Sequence, residues 1–144
     1  MRAQTAGILG IVAALAVCAI ALSRRRPAGD ELPALYARAA YFVLPGEEDF
    51  GIAPVEAQAA GRPVLALGQG GALETVLPGE TGVFFSDASE DSLTDALPQI
   101  ERLAREADPA CIRQNALRFG VDRFGPEITA AVAVVSGRYP SPTQ

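Results

Sequence analysis

The sequence predicts an α/β fold: a parallel sheet with flanking helices in three layers, preceded by an N-terminal apolar helix. Three observations carry this. Short apolar runs at residues 40–44 (AYFVL), 63–67 (PVLAL) and 82–85 (GVFF) are set off by Pro and Gly, as buried strands are. Segments suited to helices separate and follow these runs, and strand–helix alternation is the pattern of a parallel layer. A charge-free stretch, AGILGIVAALAVCAIAL, occupies residues 6–22.

Taken in order, the apolar stretch would reach roughly 25 Å as a helix at 1.5 Å per residue, slightly under the ~30 Å hydrocarbon core of a bilayer. It is read as a single-pass anchor. Arg24, Arg25 and Arg26 outnumber Arg2 and place the C-terminal side in the cytoplasm. Two alternatives stay open. Ala19-Ile20-Ala21 has the form of a signal-peptide cleavage site, and residues 1–28 could be a stretch foreign to the domain, which would make the chain a soluble cytoplasmic fragment.

Pro27-Ala28-Gly29 is a linker, and Asp30 is a candidate N-cap for a helix through Arg38, with Pro33 in its first turn. After the first strand and Pro45-Gly46, a second helix covers residues 52–60 and stops at Gly61. The second strand leads into the loop Gly68-Gln69-Gly70-Gly71 and a short helix over 72–77, broken by Pro78-Gly79 before the third strand. Leu93, Leu97, Ile100, Leu103 and Ala107 then recur at helical spacing, and Pro98 should kink or break that helix. Asp108-Pro109 opens another helix. Phe119 and Phe124 flank a glycine-containing turn, a last helix covers residues 126–135, and 139–144 is a disordered tail. The expected domains are therefore 1–29 (anchor and linker), 30–138 and 139–144.

Composition excludes several functions. The net charge is −5, all twelve basic residues are Arg, and the one Arg cluster follows the apolar stretch. A duplex-binding stripe is missing, so no nucleic-acid partner is expected. The absence of His removes the commonest general base and metal ligand. Cys18 and Cys111 are a poor disulfide pair and too few for a zinc site, so neither a metal nor a resident cofactor is expected.

The informative stretch is Pro45-Gly-Glu-Glu-Asp-Phe-Gly-Ile-Ala-Pro-Val-Glu56, at the carboxyl end of a strand and running into a helix. Ligands of open α/β sheets bind at that edge. Gly51 permits close backbone approach. The amides of Gly51, Ile52 and Ala53 would face an anion at the positive end of the helix dipole. Pro54 costs little in the first turn. Glu48 and Glu56, spaced Glu-x7-Glu, offer carboxylates to paired hydroxyls. Alternatively, such a pair at a helix start is solvated and merely complements the dipole.

The segment EEDFGIAPVEAQAAGRPVLALGQGGALETVLPGETGVFF resembles the C-terminal, donor-binding part of family 4 (group 1) glycosyltransferases, which have the GT-B fold. LYARAAYFVLP before it and NALRFGVDRFGPEI after it are also similar to that family, so the likeness covers residues ~31 to ~130. The Glu-x7-Glu box, the Gly-Arg-Pro-Val strand entry, the Gly-Gly-x-x-Glu loop and the Thr-Gly strand entry stand in the family's order. The resemblance implies a partial Rossmann-like domain. It also implies retaining transfer from a nucleotide sugar such as a GDP- or UDP-sugar, and likeness to mannosyltransferases of glycan or polysaccharide assembly. Glu48 would match the catalytic-side motif Glu near the donor sugar. Phe50, Gly51 and Ile52 would contact the diphosphate through their backbone, and Glu56 would hold the ribose. Glu74 matches the loop acid, either as loop structure or as donor-site support. No metal is implied.

Measured against that family, this sequence carries neither the acceptor-binding domain nor the basic Arg and Lys pair that contacts the diphosphate. Arg62 is no replacement, because it follows Gly61 at a strand entry. Three expectations stay open. The chain works with a separate N-terminal acceptor-binding half, or it is a membrane-tethered module that binds a nucleotide sugar without chemistry, or it is the product of a broken gene.

Overall fold

The computed structural model describes residues 31–138. The expected anchor at 6–22, the linker and the 139–144 tail lie outside the described residues. Within them, no helix is long and apolar enough to cross a membrane.

Helix α1 (Glu31–Arg38) precedes the sheet. The sheet itself lies in the second of the two units into which the chain divides, Tyr36–Gln144. Its three strands, β1 (Phe42–Leu44), β2 (Val64–Leu67) and β3 (Gly82–Phe85), run parallel in the order β1-β2-β3. Phe42 pairs with Val64 and Leu44 with Ala66. Val64 in turn pairs with Gly82, and Leu67 with Phe85. Strands β1 and β2 are shorter than their apolar runs. Tyr41 and Pro63 sit just outside the ladder, and Phe42 N–H bonds the Pro63 carbonyl at 2.9 Å where the pairing begins.

β2 is buried along its whole length, as a central parallel strand must be. Its side chains alternate between two cores. Val64 and Ala66 join Leu44, Ala57, Ala72 and Val76 on one face, with Tyr36, Phe42 and Phe84 packed against them. Leu65 and Leu67 join Val83, Phe85, Ala96 and Ile100 on the other, with Tyr41, Val43, Leu93, Leu97 and Leu103 around them. The first face belongs to helices α2 (Ile52–Ala59), α3 (Ala72–Thr75) and α5 (Pro109–Ala116). The second belongs to α4 (Glu90–Glu106). Helices, sheet and helix form the three layers the sequence predicts.

Three elements differ from expectation. Helix α3 ends at Thr75 rather than at residue 77, because Val76 is already extended. Pro98 does not break α4, which runs unbroken from Glu90 to Glu106. Pro98 is exposed, while Ala96 and Ile100 on either side of it are buried against the sheet. Packing of that face outweighs one missing helical hydrogen bond. The last helix, α6 (Val121–Arg138), starts earlier and ends later than residues 126–135, with Pro126 inside it. The Gly120 carbonyl accepts from Arg123 and Phe124 N–H and so starts the helix upstream, and an Arg123–Glu127 ion pair of 2.6 Å spans Pro126. Asp108 caps α5 as expected, accepting from Ala110 N–H at 2.8 Å, and a 3₁₀ turn (Leu117–Phe119) leads from α5 toward α6.

Candidate functional site

The loop between β1 and α2 opens the site. Gly51 caps α2 in the left-handed conformation, φ 77° and ψ 79°, which glycine adopts without steric cost. No side chain caps this helix and no acid stands in its first turn. Its first amides therefore point outward without an internal acceptor, at the positive end of the dipole. An open cavity of about 680 Å³ lies against them, lined by Glu47, Glu48, Asp49, Phe50, Gly51, Ile52 and Ala53. Four of the predicted residues, Glu48, Phe50, Gly51 and Ile52, thus share one cavity. Glu48 leans over the helix mouth, with its Oε2 3.7 Å from where a β-carbon on Gly51 would stand.

Glu56 is placed differently. It stands on α2 one turn beyond the cavity wall, exposed, four residues after Ile52 and on the same helix face. Its Oε2 accepts a hydrogen bond from the Tyr36 phenol at 3.1 Å. Burial, then the charge of Glu56 and the hydrogen bond to it, push the Tyr36 pKa up to about 12, so the phenol keeps its proton at neutral pH.

Glu74 lies in the first turn of α3, exposed and outside the cavity's walls. The glycines of its loop matter more directly. Gly71 N–H donates to the Glu48 carbonyl at 2.7 Å. A β-carbon on Gly70 would stand 2.5 Å from the Glu48 carbonyl, and one on Gly71 would run into the Phe50 backbone. The Gly-Gly pair therefore lets the loop after β2 press against the loop after β1 and fix the backbone that carries Glu48. Phe50 is held from another side, edge-on to Phe119 with ring centroids 5.6 Å apart, while Arg118 stacks on Phe119. Arg62 is tied down elsewhere, with Nη2 donating to the Ala37 carbonyl at 2.6 Å.

Sequence reasoning missed the polar core behind the site. Gln58 is fully buried; its Nε2 donates to the Pro54 and Thr75 carbonyls at 3.2 and 3.0 Å. Asn115 Nδ2 donates to Gln58 Oε1 at 2.6 Å and to the Thr75 carbonyl at 2.9 Å, and Thr75 Oγ1 closes on the Gly71 carbonyl at 3.1 Å. The network joins α2, α3 and α5, and so sets the helix mouth against the Gly70-Gly71 loop. One signal was present: Pro54, Ala57 and Gln58 share a helical stripe, and an amide on an apolar stripe needs buried partners. Among the described residues no cluster suited to a metal ion occurs, and Cys111 is a free, exposed thiol.

Comparison with known proteins gives this geometry a family. The model of the family described as "Glycosyl transferases group 1" matches residues 22–118. A GDP-mannose-dependent alpha-(1-6)-phosphatidylinositol monomannoside mannosyltransferase of Mycobacterium tuberculosis is 41% identical over 81 residues, covering 51% of this chain and 21% of its own. A D-inositol 3-phosphate glycosyltransferase of Salinispora arenicola is 36% identical over 100 residues, 66% of this chain and 22% of its own. An alpha-1,3/1,6-mannosyltransferase of Dictyostelium discoideum is 47% identical over 47 residues, 33% of this chain and 11% of its own. The chain spans about a fifth of the length of the first two relatives. The family match takes in both cores, the glycine-mouthed cavity and the polar network behind it, and the chain belongs to the group 1 glycosyl transferases.

Proposed function

We propose that this chain is the donor-binding part of a retaining, nucleotide-sugar-dependent glycosyltransferase that transfers a hexose, most simply mannose, in glycan or polysaccharide assembly. The observation that carries the reading is the cavity at the uncapped mouth of α2, with the Glu48 carboxylate beside Gly51. Family membership and a GDP-mannose-dependent relative support it.

In this reading the diphosphate lies on the backbone amides of Gly51 and its neighbours. The donor sugar faces Glu48, and the ribose reaches along α2 to Glu56. As the glycosidic bond to the diphosphate breaks, negative charge grows on the leaving oxygen. Fixed amides at a helix start stabilise that charge without reorganising. A carboxylate near the sugar stabilises the positive charge developing at the anomeric carbon. The donor-binding residues act in this reading on the sugar nucleotide alone; acceptor recognition is not assigned to any of the described residues. Titration calorimetry of the full chain with GDP, UDP and GDP-mannose tests the reading. At least one should bind, and Glu56→Ala should weaken it by roughly tenfold, as loss of a hydrogen bond to a charged group does. No heat with any of the three would overturn it.

A further inference from the structure

We propose that Tyr36 is a positioning residue for the donor site: its phenol commits one oxygen of Glu56 and aims the other at a ribose hydroxyl, giving this site its preference for ribonucleotides. The inference rests on the donor-site reading above.

Glu56 sits on the exposed face of α2, where a free glutamate would sample many rotamers. Here the Tyr36 phenol, 20 residues earlier in the chain, donates to Oε2 at 3.1 Å. No other hydrogen bond reaches this carboxylate among the described residues, so Oε1 remains an open acceptor. The phenol is a rigid partner. Its ring is half-buried, packed on the core of Leu44, Ala57 and Val64, and set edge-on to Phe42 at 5.8 Å. The backbone beneath it is held as well. Ala39 N–H closes on the Tyr36 carbonyl at 3.1 Å, and Arg62 grips the Ala37 carbonyl.

A carboxylate with one oxygen committed and a fixed direction has already lost the rotamer freedom that binding would otherwise freeze. That is the arrangement a hydroxyl donor needs, because a hydroxyl offers one proton along one line. Because the phenol stays protonated, it always donates to Glu56, and it does not compete with the ligand as an acceptor at that oxygen.

The test uses the full chain and calorimetry with GDP, 2′-deoxy-GDP and 3′-deoxy-GDP. The wild-type chain is expected to bind GDP about tenfold more tightly than one of the deoxy analogues. Tyr36→Phe keeps the ring and its packing, and should weaken GDP about five- to tenfold while leaving that deoxy analogue nearly unchanged, since the hydroxyl that Glu56 serves is already gone. An equal loss for all three ligands would make Tyr36 merely structural, and no loss for any would make it irrelevant; either result overturns the inference and leaves the donor site standing. A wild-type chain that binds all three equally removes Glu56 from the ribose, and the inference with it. A wild-type chain that binds none of them overturns the donor-site reading itself.

Discussion

Two helices, α2 and α4, start just after a strand ends, and their starts are built in opposite ways. At α4, Ser89 caps the helix by accepting from Ser92 N–H at 3.1 Å, and Glu90 and Asp91 fill the first turn. The Ser92 hydroxyl in turn accepts from Ser86 N–H at 3.0 Å. Hydrogen bonds from Ser89 and then Ser86 hold the Asp87 carboxyl below its usual range. The cavity there, about 400 Å³, is walled by Asp87, Asp91 and Asp95. There the chain's own cap and first-turn acids already satisfy the helix amides and complement the dipole. At α2 there is no capping side chain and no first-turn acid; Glu47, Glu48 and Asp49 line the cavity from the loop before it, and the helix amides behind Gly51 are left uncapped. The comparison teaches that a helix start becomes a site through what is left out: the same strand-to-helix turn is structural when the chain satisfies it and available when it does not.

Making α2 resemble α4 should have the largest effect. Ala53→Asp puts a carboxylate in the first turn and on the cavity wall. It should stabilise the fold by about 0.5 kcal/mol through the dipole. It should also weaken nucleotide diphosphate binding by roughly tenfold through like-charge repulsion at a few Å. Chemical denaturation and calorimetry on the same variant read the two opposite signs. If affinity is unchanged, the anion does not sit at this helix mouth.

The reverse change, Ser89→Ala, removes the α4 cap. It should cost about 1 kcal/mol of stability and leave nucleotide affinity as it was. A parallel loss of affinity would show that the two helix starts are not independent.

The smallest effect is a pH dependence. The Tyr36 pKa is raised from 10.0 to about 12 in the folded chain, so the folded state keeps a proton that the unfolded state gives up. Its contribution to stability is complete below pH ~10 and is lost as the pH rises toward ~12. Tyr36 is only half-buried, so solvent limits the size. Tyr36→Phe should flatten that alkaline fall in urea midpoints taken at pH ~9 and ~11.5. An unchanged slope would mean that neither burial nor Glu56 holds the proton on this phenol.

The cavity residues were legible because they are local. Glu48, Phe50, Gly51 and Ile52 lie within five positions of one another, and a glycine between an acidic loop and an apolar helix marks a turn whose amides face outward. Tyr36 was not legible as a partner of Glu56, since nothing in the pattern of α1 says which helix its phenol will meet. Gln58 and Asn115 are 57 positions apart, and only docking of α5 on α2 makes them neighbours. The break offered at Pro98 does not occur and the start offered at Pro126 comes too late, because a local rule for proline weighs neither the packing of Ala96 and Ile100 nor the Gly120 carbonyl that starts the last helix upstream.

The sequence by itself determined the order of elements, the parallel sheet and the glycine-mouthed loop at its carboxyl edge. These follow from apolar periodicity, turn residues and chain connectivity, which act over a few residues. Tertiary structure alone decided which carboxylate is held and by what, why Gly70 and Gly71 must lack side chains, and that buried amides tie the helix mouth to the neighbouring loop. Those outcomes depend on distances between segments far apart in the chain, and such distances exist only once both faces of the sheet are covered.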